Sequence, residues 1–273
     1  MSGQDMNRVT FSVVAIMLLA AATTLPFVLN AGFGKAPQGA QLSQVEASPH
    51  YRDGQFHNQL PTPGFTGQKN MLAAWWDFLM TKRENARPAQ PLPLGVGSHL
   101  RYWGMDGALI TEADWQQAVP ASDELTVHVL PARHFSGRGL KRNQTLWASF
   151  LFVTPQQKIY YSGDSGYGPH FKAIGDEFGP VDLAIMENGQ YDQDWKYIHM
   201  MPDETAQAAD DLRARAVLPG HAGRFVLAKH SWDEPYQRLA AASEGRAWRL
   251  LTPVQGEPVW VADKTQSFNA WWR

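Results

Sequence analysis

Three polar side chains come directly after segments whose composition predicts β-strands. His134 follows LTVHVL, Asp164 follows KIYY in a turn that contains two glycines, and His221 follows AVL. Catalytic groups of α/β proteins gather at the carboxyl ends of strands, because the loops there converge on a rigid sheet. Two imidazoles and one carboxylate suit zinc or a similar divalent metal. We therefore predict a metal site formed by these three residues.

Each of the three residues also has an ordinary structural interpretation. A histidine in such a loop can be buried against a backbone carbonyl, and an aspartate can cap its own turn. A short motif taken alone carries little weight. Their occurrence after three successive strands favours a shared metal site over three unrelated structural roles.

The elements that must position these residues alternate between strands and helices. Apolar, β-rich runs predict strands at 125–130, 146–153, 158–161, 181–186 and 216–218. A helix is predicted for Pro202–Arg215, whose first turn is acidic and whose end carries arginines. This alternation is typical of an α/β layered domain.

The composition excludes several other classes of protein. The 273 residues carry 24 Lys and Arg against 26 Asp and Glu, so the concentrated basic field of a nucleic-acid-binding surface is not expected. Apolar residues make up 44% of the chain, which is enough for a sizeable core. The chain has no cysteine. Thiolate zinc sites and cysteine nucleophiles are therefore excluded, and histidines and carboxylates remain as metal ligands.

The amino-terminal region contains a long apolar segment. Val9–Leu29 is a run of 21 residues without a charge, preceded by Arg8. As a helix this run matches the roughly 30 Å hydrocarbon core of a bilayer. The cleavage site of a secreted precursor is poorly represented, so we predict an uncleaved single-pass anchor, with a cleaved signal peptide as the alternative. In a bacterium this predicts an inner-membrane protein whose domain lies on the periplasmic side.

A series of motifs resembles one known family of hydrolases. In chain order these motifs are PARHFSGRG, NQTLW, IYYSGDSGYG, GPVDLAIMENGQY, HMMPDETAQAADDL and LPGHAGRF. They resemble the second half of a metallo-β-lactamase-fold hydrolase, and most of all the N-acyl-phosphatidylethanolamine-hydrolysing phospholipase D branch. The resemblance runs over about residues 94–240, and residues 48–93 resemble the aromatic amino-terminal strap of that branch.

The resemblance implies a fold and a role for each candidate residue. The implied fold is an αββα sandwich with one or two zinc ions. His134 would bind the first metal, Asp164 would bridge the two, and His221 would bind the second. His199, in HMMP, matches a catalytic pocket histidine near the substrate phosphate, and the alternative for His199 is a structural role at a helix start.

The sequence departs from the family at its main signature. The family carries H-x-H-x-D-H in the first half of the fold, and no two of the nine histidines of this chain are spaced i, i+2. The segment that resembles the strap ends at Pro93, and the segment that resembles a later part of the family's fold begins at Leu94. No residues lie between the two segments. We interpret this junction as the deletion of one block, and the alternative is a relative that diverged to a smaller fold. Weak or partial metal occupancy is expected.

These observations divide the chain and give two functional hypotheses. The division is residues 1–30 (anchor or signal segment), 31–47 (flexible linker), 48–93 (aromatic and Pro-rich strap) and 94–273 (hydrolase-like domain). The first hypothesis is a membrane-anchored zinc-dependent hydrolase of N-acyl-phosphatidylethanolamine or a related phosphodiester, impaired by the missing motif. The second is a non-catalytic, membrane-tethered remnant or interaction module. The sequence carries no signal for an oligomeric state.

Overall fold

A computed structural model describes residues 40–59, 91–137, 141–223 and 227–273. The α-helices in these ranges are α1 (Ala40–Glu46), α2 (Gly97–Tyr102), α3 (His170–Phe178), α4 (Pro202–Asp211) and α5 (Glu234–Ser243). The strands are β1 (Tyr51–Arg52), β2 (Gln55–Phe56), β3 (Leu92–Pro93), β4 (Glu112–Ala113), β5 (Gln117–Ser122), β6 (Leu125–Leu130), β7 (Ser149–Val153), β8 (Lys158–Tyr161), β9 (Leu183–Glu187), β10 (Ala216–Gly220) and β11 (Arg249–Leu250). Short 3₁₀ helices cover Gly107–Leu109 and Gln193–Trp195.

One seven-stranded sheet organises the described residues. Its strand order is β11-β10-β9-β8-β7-β6-β5. Strands β8 to β11 are parallel, whereas β5 to β8 pair in antiparallel fashion. Because β6 and β8 are both antiparallel to β7, strands β6, β8, β9 and β10 point in the same direction. Their carboxyl ends therefore meet at one edge of the sheet.

The helices α3, α4 and α5 cover one face of this sheet. Alternate strand residues such as Leu151, Tyr160 and Met186 point to that face, as the period of two in a strand requires. They pack against Phe171 of α3 and Leu239 of α5 in the largest buried cluster. This arrangement confirms the α/β layered class that the sequence predicts.

The opposite face of the sheet is covered less completely. Leu183 and Ile185 point to that face, where they pack with the carboxy-terminal residues Val259 and Phe268. Tyr161, on the same face of β8, remains 44% exposed. An αββα sandwich would place a second sheet here, and the only other ladders in the described part of the chain are the two-stranded pairs β1–β2 and β3–β4.

Two predicted elements are shorter in the structure than in the prediction, because of packing and backbone geometry. The predicted strand 146–153 begins only at Ser149, because the amide of Leu146 donates to the carbonyl of Leu94 instead of to a strand of the sheet. The predicted helix Pro202–Arg215 ends at Asp211, since Arg213 takes a positive φ of 52° that turns the chain towards β10.

The prediction of a flexible linker over 31–47 also differs from the structure. Residues 40–46 of that linker form α1, and Val45 of this helix is buried against Phe56 and Trp115. A buried apolar side chain holds this end of the segment on the domain.

The predicted anchor Val9–Leu29 and residues 60–90 of the predicted strap lie outside the described residues. Within the ranges given above, every helix is too short or too polar to cross a bilayer.

Candidate metal centre

Four residues with metal-ligand chemistry lie at the sheet edge where the parallel strand ends meet. His134 follows β6, Asp164 follows β8, Glu187 ends β9 and His221 follows β10. His199 reaches the same place from the segment between β9 and α4. The structure therefore brings together all four residues that the sequence singles out, and it adds Glu187.

Three of these residues form the closest group. One ligand atom from each of His134, Asp164 and His199 lies within 4.8 Å of the other two. His221 stands beside this group. Its Nε2 is 3.7 Å from Oδ2 of Asp164, and its ring centroid is 5.4 Å from that of His199. In the structure His199, rather than His221, completes the group of three.

His134 is held in place by its own loop. The side chain is 7% exposed, and Nδ1 lies 2.8 Å from the carbonyl oxygen of Phe135. An imidazole that donates Nδ1–H to a carbonyl keeps its lone pair on Nε2, which is the usual state of a metal-binding histidine. The amide of Asn58 donates to the carbonyl of His134 at 2.8 Å, so the β1–β2 region also supports this loop.

Gly163 shapes the turn that carries Asp164. Gly163 has a φ of +58°, and a Cβ there would lie 2.8 Å from the carbonyl oxygen of Ala148. Only glycine meets both conditions without strain. The turn leaves the carboxylate of Asp164 about two-fifths exposed.

His199 contacts a buried carboxylate. Its Nδ1 hydrogen-bonds to Oε2 of Glu187, and its ring lies 5.3 Å from that of His134. The alternative role for His199, at the start of α4, is filled by other residues. Met201 is the N-cap of that helix, and its amide donates to Oε2 of Glu204 at 2.9 Å.

Glu187 is the site residue that the sequence reasoning missed. It is 3% exposed, and burial raises the pKa of its carboxyl group well above the usual range, with Asp164 adding to the effect. Glu187 could have been found by the same signal as the other site residues, namely a polar residue directly after a predicted strand. Glu187 is the polar residue at the carboxyl end of the apolar run VDLAIME.

The backbone of His221 is fixed by two residues that follow β9. His221 has a positive φ of 58°. A Cβ at Gly189 would lie 1.9 Å from the carbonyl oxygen of His221, so glycine alone permits this approach. The side chain of Gln190 donates to the same carbonyl at 3.2 Å and accepts from the amide of Leu227. Two loops are thereby joined beside the site.

The donor set fits a divalent metal ion. Two imidazoles and one carboxylate are a combination that zinc accepts, and three protein donors leave coordination positions open for water or substrate. The two-metal centre implied by the resemblance uses more ligands than these. The described residues therefore fit one ion better than two.

The comparison with protein families decides the class. A family model described as the beta-lactamase superfamily domain matches residues 76–222, which is more than half of the chain. The chain belongs to the beta-lactamase superfamily. The superfamily match includes His134, Asp164, His199 and His221.

Three relatives place the chain within this superfamily. The outer membrane protein RomA of Klebsiella pneumoniae is 99% identical over 132 residues, which cover 48% of this chain and 93% of RomA. An uncharacterized protein of Mycobacterium tuberculosis is 45% identical over 67% of this chain and 49% of its own length. N-acyl-phosphatidylethanolamine-hydrolyzing phospholipase D 1 of Caenorhabditis elegans is 31% identical over 57% of this chain and 47% of its own length. The chain thus spans about half the length of the mycobacterial and nematode relatives.

His170 contacts the turn that carries Asp164 through the next residue, Ser165. Its Nε2 lies 3.3 Å from Oγ of Ser165, and this hydroxyl also accepts from the amide of Arg133. Burial, and secondarily the positive charge of Arg133, lower the pKa of His170 to about 3. The folded protein therefore keeps this imidazole neutral at all but strongly acidic pH.

Acid is expected to destabilise the protein through His170. Below about pH 6.5 the unfolded chain binds this proton and the folded chain does not, so the free energy of unfolding falls as the pH drops towards 3. At about pH 4.5 the expected loss from this group is about 3 kcal/mol. Urea unfolding at neutral pH and at about pH 4.5 measures this loss in the free energy of unfolding. His170→Gln should lose less stability between the two pH values than the wild type and a His57→Gln control, and equal losses in all three would contradict the assignment.

Proposed function

We propose that this protein is a metal-dependent hydrolase of phosphodiesters whose substrate is N-acyl-phosphatidylethanolamine or a related phospholipid. The observation that carries the proposal is the group of three donors, within 4.8 Å of one another, at the edge where four strand ends meet. Membership of the beta-lactamase superfamily supports the hydrolytic chemistry. The nematode relative, which is named for hydrolysis of this lipid, supports the substrate class.

We assign His134, Asp164 and His199 to metal binding and His221 to the substrate. When bound, a divalent ion such as zinc supplies Lewis-acid stabilisation of the charge that builds on the phosphate oxygens. The resemblance by itself assigned His221 to the metal and His199 to catalysis. The compact group of three favours the exchange of these two roles. His221, whose side chain is about one-third exposed, can then donate a hydrogen bond or a proton to the leaving-group oxygen.

Exposed aromatic side chains support a lipid substrate. Trp103 is 61% exposed and Tyr102 is 49% exposed at the end of α2, and Leu109 is exposed nearby in the chain. Tryptophan and tyrosine favour the interface between a bilayer and water. We further propose that the protein is associated with a membrane. The uncharged segment Val9–Leu29 supports this association, as does the similarity to RomA, which is named an outer membrane protein. The inner-membrane location rests on the sequence alone.

We infer that the activity of this chain is reduced by the loss of one block at Pro93–Leu94. One observation supports this inference. The helices cover one face of a single large sheet, and the other face leaves Tyr161 exposed where a sandwich would have a second sheet. The junction itself is packed, since Leu92 and Pro93 form β3 and the amide of Leu94 donates to the carbonyl of Ala113, and this packing fits either a deletion or a smaller fold.

A second candidate function is a non-catalytic, membrane-tethered interaction module. The observation that favours it is the incompletely covered sheet face around Tyr161, because exposed apolar area marks interaction sites. This candidate requires no turnover, which separates it from the hydrolase.

Metal analysis and a phosphodiesterase assay on the purified full chain test these assignments together. We expect about one zinc ion per chain and slow hydrolysis of N-acyl-phosphatidylethanolamine in mixed micelles. His134→Ala should lose both the metal and the turnover, whereas His221→Ala should keep the metal and lose turnover by at least about 100-fold, the lower end of general acid–base effects. His128→Ala, a strand histidine that contacts Phe178, is the control and should change neither.

Two outcomes would redirect the proposal. Zinc bound by the wild type without any turnover would favour the interaction module. Loss of zinc in His221→Ala, with zinc retained in His199→Ala, would restore the roles that the resemblance implied.

A further inference from the structure

A short hairpin in the amino-terminal part of the chain leads directly to the metal centre. Strands β1 and β2 pair in antiparallel fashion around Asp53 and Gly54, which take positive φ values of 52° and 76°. An Asp-Gly turn between two strands requires this backbone. The hairpin therefore determines where the chain leaves β2, and Asn58 lies two residues beyond the end of that strand.

Phe56 of β2 holds the hairpin on the domain. Its side chain is fully buried in a cluster of apolar residues. Its amide donates to the carbonyl of Asn143 at 2.8 Å. Gln144 adds a side-chain hydrogen bond, in which its Nε2 donates to the carbonyl of Gly54 at 2.6 Å. The hairpin is thus attached to the residues that precede β7.

Asn58 directs one donor at the loop that carries His134. Its Nδ2 donates to the carbonyl oxygen of His134 at 2.8 Å. Its Oδ1 is buried and has no hydrogen-bond partner among the described residues. A buried amide oxygen without a partner costs free energy, so an acceptor at this position is no advantage to the fold. The donor accounts for the amide, and this donor holds the backbone of a site histidine.

The carbonyl that Asn58 holds belongs to the peptide that orients the imidazole of His134. The next carbonyl along the chain, that of Phe135, lies 2.8 Å from Nδ1 of His134. Because a carbonyl can only accept, Nδ1 carries the proton and the lone pair is on Nε2. Asn58 fixes the backbone between residues 134 and 135, and that backbone fixes the tautomer and the direction of the ring.

We propose that Asn58 is a positioning residue for the metal ligand His134, so that the amino-terminal hairpin is a functional part of the metal centre. The inference rests on the proposed function, because it takes His134 as a ligand. It holds whether His199 or His221 completes the group. Asn58 comes before the junction at Pro93–Leu94, whereas the other site residues all follow it. The two sides of that junction therefore meet at His134.

Zinc affinity of the purified full chain, measured by competitive titration, tests the proposal. Asn58→Ala should weaken zinc binding by about 10- to 100-fold, the usual effect of removing a hydrogen-bond partner that orients a metal ligand. Asn58→Leu should weaken zinc binding to the same extent. Leucine is close to asparagine in size and branching but has no donor, so equal losses assign the effect to the hydrogen bond.

Gln144→Ala provides the matched control. This change removes the other side-chain hydrogen bond between the same hairpin and the domain, the one that ends at Gly54, and it leaves the contact with His134 in place. Zinc affinity should be unchanged. Equal losses in Asn58→Ala and Gln144→Ala would mean that the hairpin acts through its general attachment, and the positioning role of Asn58 would be wrong.

The tautomer of His134 provides a second test that needs neither metal nor turnover. Long-range ¹⁵N–¹H correlation spectra of the ¹⁵N-histidine-labelled full chain, treated with a chelator, report which ring nitrogen carries the proton. At about pH 8 an ordinary histidine is neutral. The wild type should show His134 protonated at Nδ1, and both Asn58 variants should lower the population of this tautomer. Gln144→Ala should leave it unchanged.

The two tests separate this inference from the proposed function. If the wild type binds zinc and both Asn58 variants keep its affinity and its tautomer, the positioning role is wrong and the hydrolase stands. If the tautomer depends on Asn58 while the wild type binds no zinc, the positioning of His134 stands and the metal-dependent hydrolase fails. A loss in Asn58→Ala that Asn58→Leu does not share would assign the effect to the filling of space, which would also overturn the proposal.

Discussion

Replacing Asp164 with asparagine is expected to lower the zinc affinity of the full chain by more than about 100-fold. Removing even a hydrogen-bond partner of a metal ligand costs about 10- to 100-fold, and a direct ligand should cost more. Asp164 is the one carboxylate in the group of three, and it supplies the negative charge next to two imidazoles. Asparagine keeps the size of the side chain and removes that charge. Phosphodiesterase turnover should be lost together with the metal.

A control variant separates the loss of the metal from a general loss of charge. Asp176→Asn removes a carboxylate from the exposed surface of α3, where Asp176 pairs with Lys172. This variant should bind zinc and turn over substrate as the wild type does. Circular dichroism of all three proteins should show the same secondary structure. Unchanged zinc affinity in Asp164→Asn would mean that the group of three donors is not the metal site.

The strand ends could be predicted from the sequence because their signal is local. The apolar runs before His134, Asp164 and His221 alternate or are continuous in the manner of strands, and a strand end determines where the next side chain lies. The parallel direction of β6, β8 and β10 then brings the three residues to one edge of the sheet. No knowledge of side-chain contacts is needed for that step.

The pairing of Glu187 with His199 could not be predicted in the same way. The two residues are 12 positions apart, and their contact depends on the path of the segment between β9 and α4. Glu187 also ends an apolar run, and a single polar residue at that position indicates only where the strand ends. Non-local packing likewise decides that Leu146 pairs with Leu94 and that Val45 holds α1 on the domain.

Inserting the block that we infer to be missing at Pro93–Leu94 is expected to raise both metal content and turnover. The block would come from a relative that carries H-x-H-x-D-H and would include the strands that hold this motif. The chimera should bind a second zinc ion and hydrolyse phosphodiesters at least about 100-fold faster than the present chain, because it regains direct metal ligands. Metal analysis and the phosphodiesterase assay, run on both proteins, measure the two gains.

The insertion tests the deletion directly because the rest of the chain is unchanged. A Gly/Ser insert of the same length should give neither gain, and the block with its H-x-H histidines replaced by alanine should restore the fold without restoring turnover. The added strands should also cover the open face of the large sheet, so Tyr161 should become protected from solvent. If the present chain already binds two zinc ions tightly and matches the turnover of the chimera, no block is missing. Residues of this chain other than the group of three would then complete the site.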